Sequence, residues 1–166
     1  MLSPMEDRIG ELVEQWSEQR PDLELAAMAT IARALTLGRM VEGRLEGLAD
    51  SYGLGLAEGD LLFTLRRAGA GHRMLPSQLS ASLLVSSGTM TARLDRLEAR
   101  DLIHRVANPD DRRSVLVELT DLGHKLADEA VTQHVAAEQS MLEPLSKRDR
   151  LELDRLLSTM IEHLSG

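Results

Sequence analysis

Cysteine is absent from this 166-residue chain, which excludes disulfides, thiolate metal sites and thiol-based redox sensing. Aromatic side chains are almost as scarce. Trp16, Tyr52 and Phe63 are all there are, too few for a surface that stacks single-stranded bases. No apolar run is long enough to span a bilayer, and the acidic, amphipathic first residues lack the apolar segment of a signal peptide. A cytoplasmic location is therefore expected. His72, His104, His124, His134 and His163 are scattered, with no paired metal-ligand spacing on a helix. A P-loop, GxGxxG and GxSxG are all missing. An enzyme is not expected, nor a metal or other cofactor.

An excess of positive charge is missing as well: the net charge is -8, which on its face argues against a polyanionic partner. The distribution argues the other way. Residues 72–113 hold seven arginines against five acids, a balance of +2, so the remainder carries -10. Charges farther away than a Debye length are largely screened, so a locally basic region on an acidic body can still bind phosphate, with steep salt dependence.

Apolar spacing organises the rest. Ile9, Leu12, Val13 and Trp16 recur at helical spacing over 5–20, and a longer helix is expected over 23–49 after Pro21-Asp22. A glycine-rich break at 52–55 precedes a helix over 57–68, whose first turn carries Glu58 and Asp60 near the positive end of its dipole. Pro76 opens a short helix to 84 at a position where its missing N–H costs nothing. Ser86 or Ser87 can cap the next helix, which runs to about 100. The β-branched, alternating segments 103–107 and 115–119 read as hairpin strands around Asn108-Pro109-Asp110-Asp111-Arg112-Arg113. Thr120 caps a helix reaching 142, and Ser146 starts a last one to about 164.

The expected fold is mainly α with a small β-hairpin: a winged helix-turn-helix with N- and C-terminal dimerisation helices. Its parts are N-terminal helices over 1–56, a DNA-binding module over 57–120 and C-terminal helices over 121–166. The terminal helices carry more apolar surface than so small a module can cover. A homodimer would bury it; the alternative is a helical cap folded back on its own module.

On the helix over 86–100, Leu94 and Leu97 lie within about 40° of Met90 at 100° per residue and form the buried side. Thr89, Ala92 and Arg96 face away. There Thr89 and Arg96 can bond base edges or phosphate, and Ala92 can touch a thymine methyl. Ser86, Ser87 and Thr91 are candidate phosphate contacts near the helix N-terminus, where ordinary capping is the competing role. Arg112 and Arg113 sit at the hairpin tip, from which a guanidinium can enter a minor groove. Asp110 or Asp111 can hold an arginine there by a bidentate pair. A solvated charged turn is the plain alternative.

The pattern SSGTMTARLDRLEARDLI, followed by PDDRRSVLVELTDLG, resembles the signature of the MarR family of multiple-antibiotic-resistance regulators. The likeness covers residues 57–124 well, and the helical ends fit that family's dimerisation region. It implies a homodimeric winged-helix regulator, a repressor by expectation, with two recognition helices about one DNA turn apart on a pseudo-palindromic operator. Asp101 departs from the pattern, which usually has glycine there. A narrower resemblance is to the urate-responsive, PecS-like branch. That likeness implies a site for a small aromatic anion made by Trp16, Asp60, Arg93 and Arg105. Arg93 lies about 60° from Met90 on the wheel, at the margin of the buried face rather than on the groove side. Plainer roles remain open for all four: Trp16 as a helix anchor, Asp60 as a first-turn acid, Arg93 as a phosphate ligand, Arg105 as an outward strand residue. Two other functions stay in view, a winged-helix protein-interaction module and a regulator with no small-molecule ligand.

Overall fold

The computed structural model describes residues 4–69, 71, 73–111 and 113–166. Its elements are α1 (Pro4–Gln19), α2 (Ala26–Ser51), α3 (Leu56–Arg66), β1 (Arg73–Met74), α4 (Pro76–Ser82), α5 (Ser87–Glu98), β2 (Ile103–Ala107), β3 (Val115–Leu119), α6 (Asp121–Met141) and α7 (Lys147–Ser165). The chain forms two compact units, one ending at Gly47 and one beginning at Leu48. No described helix is long and apolar enough to cross a membrane.

In the first unit, α1 ends where Pro21 follows Arg20, and Arg20 folds back onto Asp22 through two hydrogen bonds of 2.7 and 2.6 Å. α2 starts three residues later than its apolar spacing suggests. Glu24 is the reason: its carboxylate accepts the Ala26 N–H at 3.0 Å, satisfying one of the free donors at the helix start. A shallow cleft of about 400 Å³ is lined by Arg8, Ile9 and Leu12 of α1 with Ala32, Leu35, Thr36 and Arg39 of α2.

The second unit holds the core. Leu61, Leu62 and Leu65 of α3, Leu79 of α4 and Met90, Leu94 and Leu97 of α5 close over Ile103, Val117 and Leu119 of the sheet. The three α5 residues are the ones the helical wheel assigns to the inside, and β3 alternates as its sequence suggests, with Val117 and Leu119 inward. The strands fall at 103–107 and 115–119 as expected, but a third joins them. β1 pairs antiparallel with β3 and the order is β1-β3-β2. Two residues are too few for period-two patterning to reveal. What marks the short strand is charge. Arg73 stands opposite Glu118 in register at 2.9 Å, an ion pair short of hydrogen-bond alignment, and His104 reaches the same carboxylate from β2 at 2.8 Å.

The start of α6 is seated on the residues just before β2 by a hydroxyl and by close backbone approach. Thr120 caps it, accepting the Gly123 N–H at 3.0 Å, and donates its hydroxyl to the Asp101 carbonyl at 2.6 Å. A Cβ on Gly123 would lie 1.9 Å from the Leu102 carbonyl oxygen, so no side chain fits there. Asp101 itself takes φ +56°, the left-handed conformation that glycine adopts freely and that a short polar side chain tolerates. That accounts for both the glycine usual in the resembling pattern and the aspartate standing here.

Candidate nucleic-acid interface

The N-terminus of α5 is built by its hydroxyls. Ser86 is the cap, its oxygen accepting the Thr89 N–H at 3.2 Å while the Ser86 and Thr89 hydroxyls bond each other at 2.9 Å. The Thr91 hydroxyl donates to the Ser87 carbonyl at 2.9 Å. All four side chains are exposed, as are Gly88 and Ala92. Capping and exposure therefore coexist. The hydroxyls fix the helix start and leave a small-residue surface through which a helix can approach a groove floor.

The hairpin tip is ordered by Asx and Ser turns. Asn108 donates its amide to the Ser114 hydroxyl at 2.9 Å and accepts the Asp110 N–H at 3.1 Å. The Asp111 carboxylate accepts the Arg113 N–H at 3.0 Å, and its carbonyl accepts from Ser114. Asp111 thus shapes the turn through the backbone, and no described acid pairs with the Arg113 guanidinium, which is exposed. Arg112 lies outside the described residues.

Charge is segregated along α5. Arg93, Arg96 and Arg100 lie 60–120° to one side of Met90 on the wheel, and Glu98 and Asp95 lie about 80° and 140° to the other. Each flank meets an opposite charge. On the acidic side, Arg105 of β2 binds Asp95 at 2.7 Å and Glu98 through a second nitrogen, and its N–H donates to Glu98 at 3.2 Å. Partial burial works to lower the Arg105 pKa, but the two carboxylates outweigh it and raise it. On the basic side, Arg96 donates its Nε–H to Glu58 of α3 at 2.8 Å, and Arg100 lies 3.8 Å from the same carboxylate. Arg100 also donates to the Gly53 carbonyl at 2.6 Å. Burial acts to raise the Glu58 pKa. The Arg96 hydrogen bond, the Gly55 N–H at 3.3 Å and the two nearby guanidinium charges hold it below the ordinary glutamate range.

Within the second unit, Asp60, Arg93 and Arg105 share no direct hydrogen bond or ion pair among the described residues. Arg105 is occupied by Asp95 and Glu98. Arg93 is half-buried and makes no hydrogen bond or ion pair with a described residue, and exposed Asp60 makes none either. Trp16 belongs to the first unit, where it is 45% exposed on α1. Among the described residues no cluster of His, Asp or Glu is placed to hold a metal ion. Glu58 and the Asp95–Glu98 pair escaped the sequence reading as partners. The signal was there for the second: two acids three apart on the flank opposite three arginines.

Similarity to known proteins follows the same geometry. Residues 52–114 match the MarR family. The chain is 36% identical over 156 residues to the HTH-type transcriptional regulator PecS of Dickeya dadantii, covering 94% of each. AbsC, a MarR family transcriptional regulator from Streptomyces coelicolor, superposes with a TM-score of 0.77 at 26% identity, over 87% of this chain and 97% of that one. A mutant MarR from Escherichia coli complexed with operator DNA shares the fold, with a TM-score of 0.67 at 24% identity over 82% and 96% of the two chains. The chain belongs to the MarR family of transcriptional regulators.

Proposed function

We propose that this regulator binds a pseudo-palindromic operator as a homodimer in the cytoplasm and represses transcription from it. The observation that carries the reading is the exposed face of α5 beside Arg113 at the hairpin tip, whose guanidinium has no acidic partner among the described residues. Ser86, Ser87, Thr89, Thr91, Ala92 and Arg96 offer small and hydrogen-bonding groups to a major groove, and Arg112 and Arg113 follow the adjacent minor groove. The domains divide as 1–56 for dimerisation and a ligand cleft, 57–120 for DNA and 121–166 for further dimer contacts. α7 supports the dimer: Leu157, Met160, Ile161 and Leu164 are exposed and lie within about 60° of Leu157 on the wheel. Fluorescence anisotropy with a duplex from upstream of the chain's own gene tests this. Binding that weakens steeply as salt rises is expected; salt-insensitive or absent binding contradicts it.

Release by a small aromatic anion, urate in the first instance, is the second part of the proposal. Its support is Arg93, a half-buried cation without an acidic partner among the described residues, with Arg105, Asp60 and Trp16 completing the set. An anion that takes Arg105 has to displace Asp95 and Glu98, which loosens α5 from β2. Arg93→Ala should abolish urate-induced release while duplex binding persists; an unchanged urate response removes the pocket. The saturation of Arg105 by its two acids favours one rival reading, a regulator in which that residue is structural and no ligand acts.

A further inference from the structure

Arg96 is held by one edge only. Its Nε–H is given to Glu58, whereas neither Nη nitrogen donates to a described residue, and the side chain is 58% exposed. The carboxylate that holds it is itself fixed. Glu58 is 14% exposed, accepts the Gly55 N–H at the start of α3, and stands 3.8 Å from Arg100. Arg100 in turn is tied to the carbonyl of Gly53, in the loop that enters α3. Glu58 therefore caps one helix and braces the C-terminal half of another.

We infer that Glu58 is a positioning residue for operator readout: it fixes Arg96 by its Nε edge so that the Nη edge is presented to DNA. The physical reason is conformational. A free arginine side chain loses rotamer freedom whenever it docks, and its planar fork reads a base edge only in a defined orientation. Fixing the near edge against a partly buried carboxylate removes much of that cost beforehand. The far edge stays available for a bidentate contact, and the pair's negative charge is shared with Arg100 rather than facing the groove alone. The inference rests on the proposed DNA contact of Arg96 and adds a residue that itself touches no DNA.

A double-mutant cycle on the full chain tests it, with anisotropy read against two probes. One is the duplex from upstream of the chain's own gene; the other is a shuffled duplex of equal length. All variants are measured well below their melting temperatures. Arg96→Ala and Glu58→Ala should each weaken the upstream duplex about tenfold, the loss of one oriented contact. The double variant should be little worse than either single. Binding of the shuffled duplex by Glu58→Ala should not fall. Glu58→Gln, whose amide oxygen still accepts the Nε–H, should restore most of the lost affinity. Additive losses, or equal losses on both probes, would overturn the inference, because they mean that Glu58 acts on the fold alone. Tighter binding by Glu58→Ala would overturn it too, showing that the carboxylate withholds Arg96 from phosphate. If Arg96→Ala binds the upstream duplex as the unmodified chain does, the DNA contact of Arg96 is wrong and the inference goes with it. Loss on Arg96→Ala without loss on Glu58→Ala removes only the positioning role.

Discussion

The winged module and the terminal helices use the same apolar alphabet to opposite ends. From α3 to β3 most leucines are buried, Leu61, Leu65, Leu79, Leu94, Leu97 and Leu119 among them, with Leu84 between α4 and α5 the exposed exception. α2 and α7 are longer than any helix of the module, yet neither buries a single residue. Amphipathic spacing reports only that a helix has an apolar face. Whether its own chain covers that face is a matter of topology. The module covers its apolar face within one chain; α2 and α7 leave theirs exposed, which is the face the proposed dimer would cover.

The sharpest way to break that contrast is from inside the module. Gly123→Ala should destabilise the unit by about 3 kcal/mol or more, because a Cβ meets the Leu102 carbonyl with no flexible side chain to yield. Thermal melting followed by circular dichroism would show it, and an unchanged transition would mean that the start of α6 is not seated on Leu102 as described. A change on the other side of the contrast should act differently. Leu157→Glu combined with Ile161→Glu should abolish the proposed dimer in analytical ultracentrifugation while leaving the module folded. A unit that unfolds together with the dimer would erase the distinction between the two regions.

Smaller effects sharpen it. Arg113→Ala should weaken duplex binding about equally across sequences and lower the slope of log affinity against log salt by about 1. Unchanged slope would place the hairpin tip away from phosphate. Glu58 gives a pH signature within the module. Its folded pKa is depressed, so its stabilisation is fully present above the ordinary glutamate value of 4.5 and is lost as pH falls through the lower folded value. The stability difference from Glu58→Gln, about 1 kcal/mol at pH 7, should vanish in acid titrations below that range. Asp101→Gly should be the mildest change, a gain of about 0.5 kcal/mol from relieving φ +56°.

Much of this architecture could be read without coordinates, and the reasons are local. Ser86 and Thr120 are side chains whose capping chemistry marks a helix start wherever they stand, and Met90, Leu94 and Leu97 recur at a spacing that only a helix brings together. β1 was illegible because two residues carry no period, and its pairing with β3 is long-range. The same limit hid the charge clamps. Glu58 and Arg96 are 38 residues apart, and only the tertiary fold makes them partners. Asp111 illustrates a finer limit: its carboxylate accepts the backbone N–H of Arg113, a local turn bond that composition does not announce, while a clasp on Arg112 lies outside the described residues. Of the candidate ligand residues, Arg93 alone keeps a half-buried cation without a described partner, which its wheel position had already set apart from the groove side.

The proposed reading surface on α5 and the hairpin has to work despite a chain charge of -8. Equilibrium binding of the upstream duplex over a series of salt concentrations tests it most directly. The expected result is a linear fall of log affinity with log salt, with several phosphates' worth of slope, and tighter binding than to a shuffled duplex at every point. Binding that is flat in salt, or the same for both duplexes, would mean that α5 and the hairpin do not read DNA.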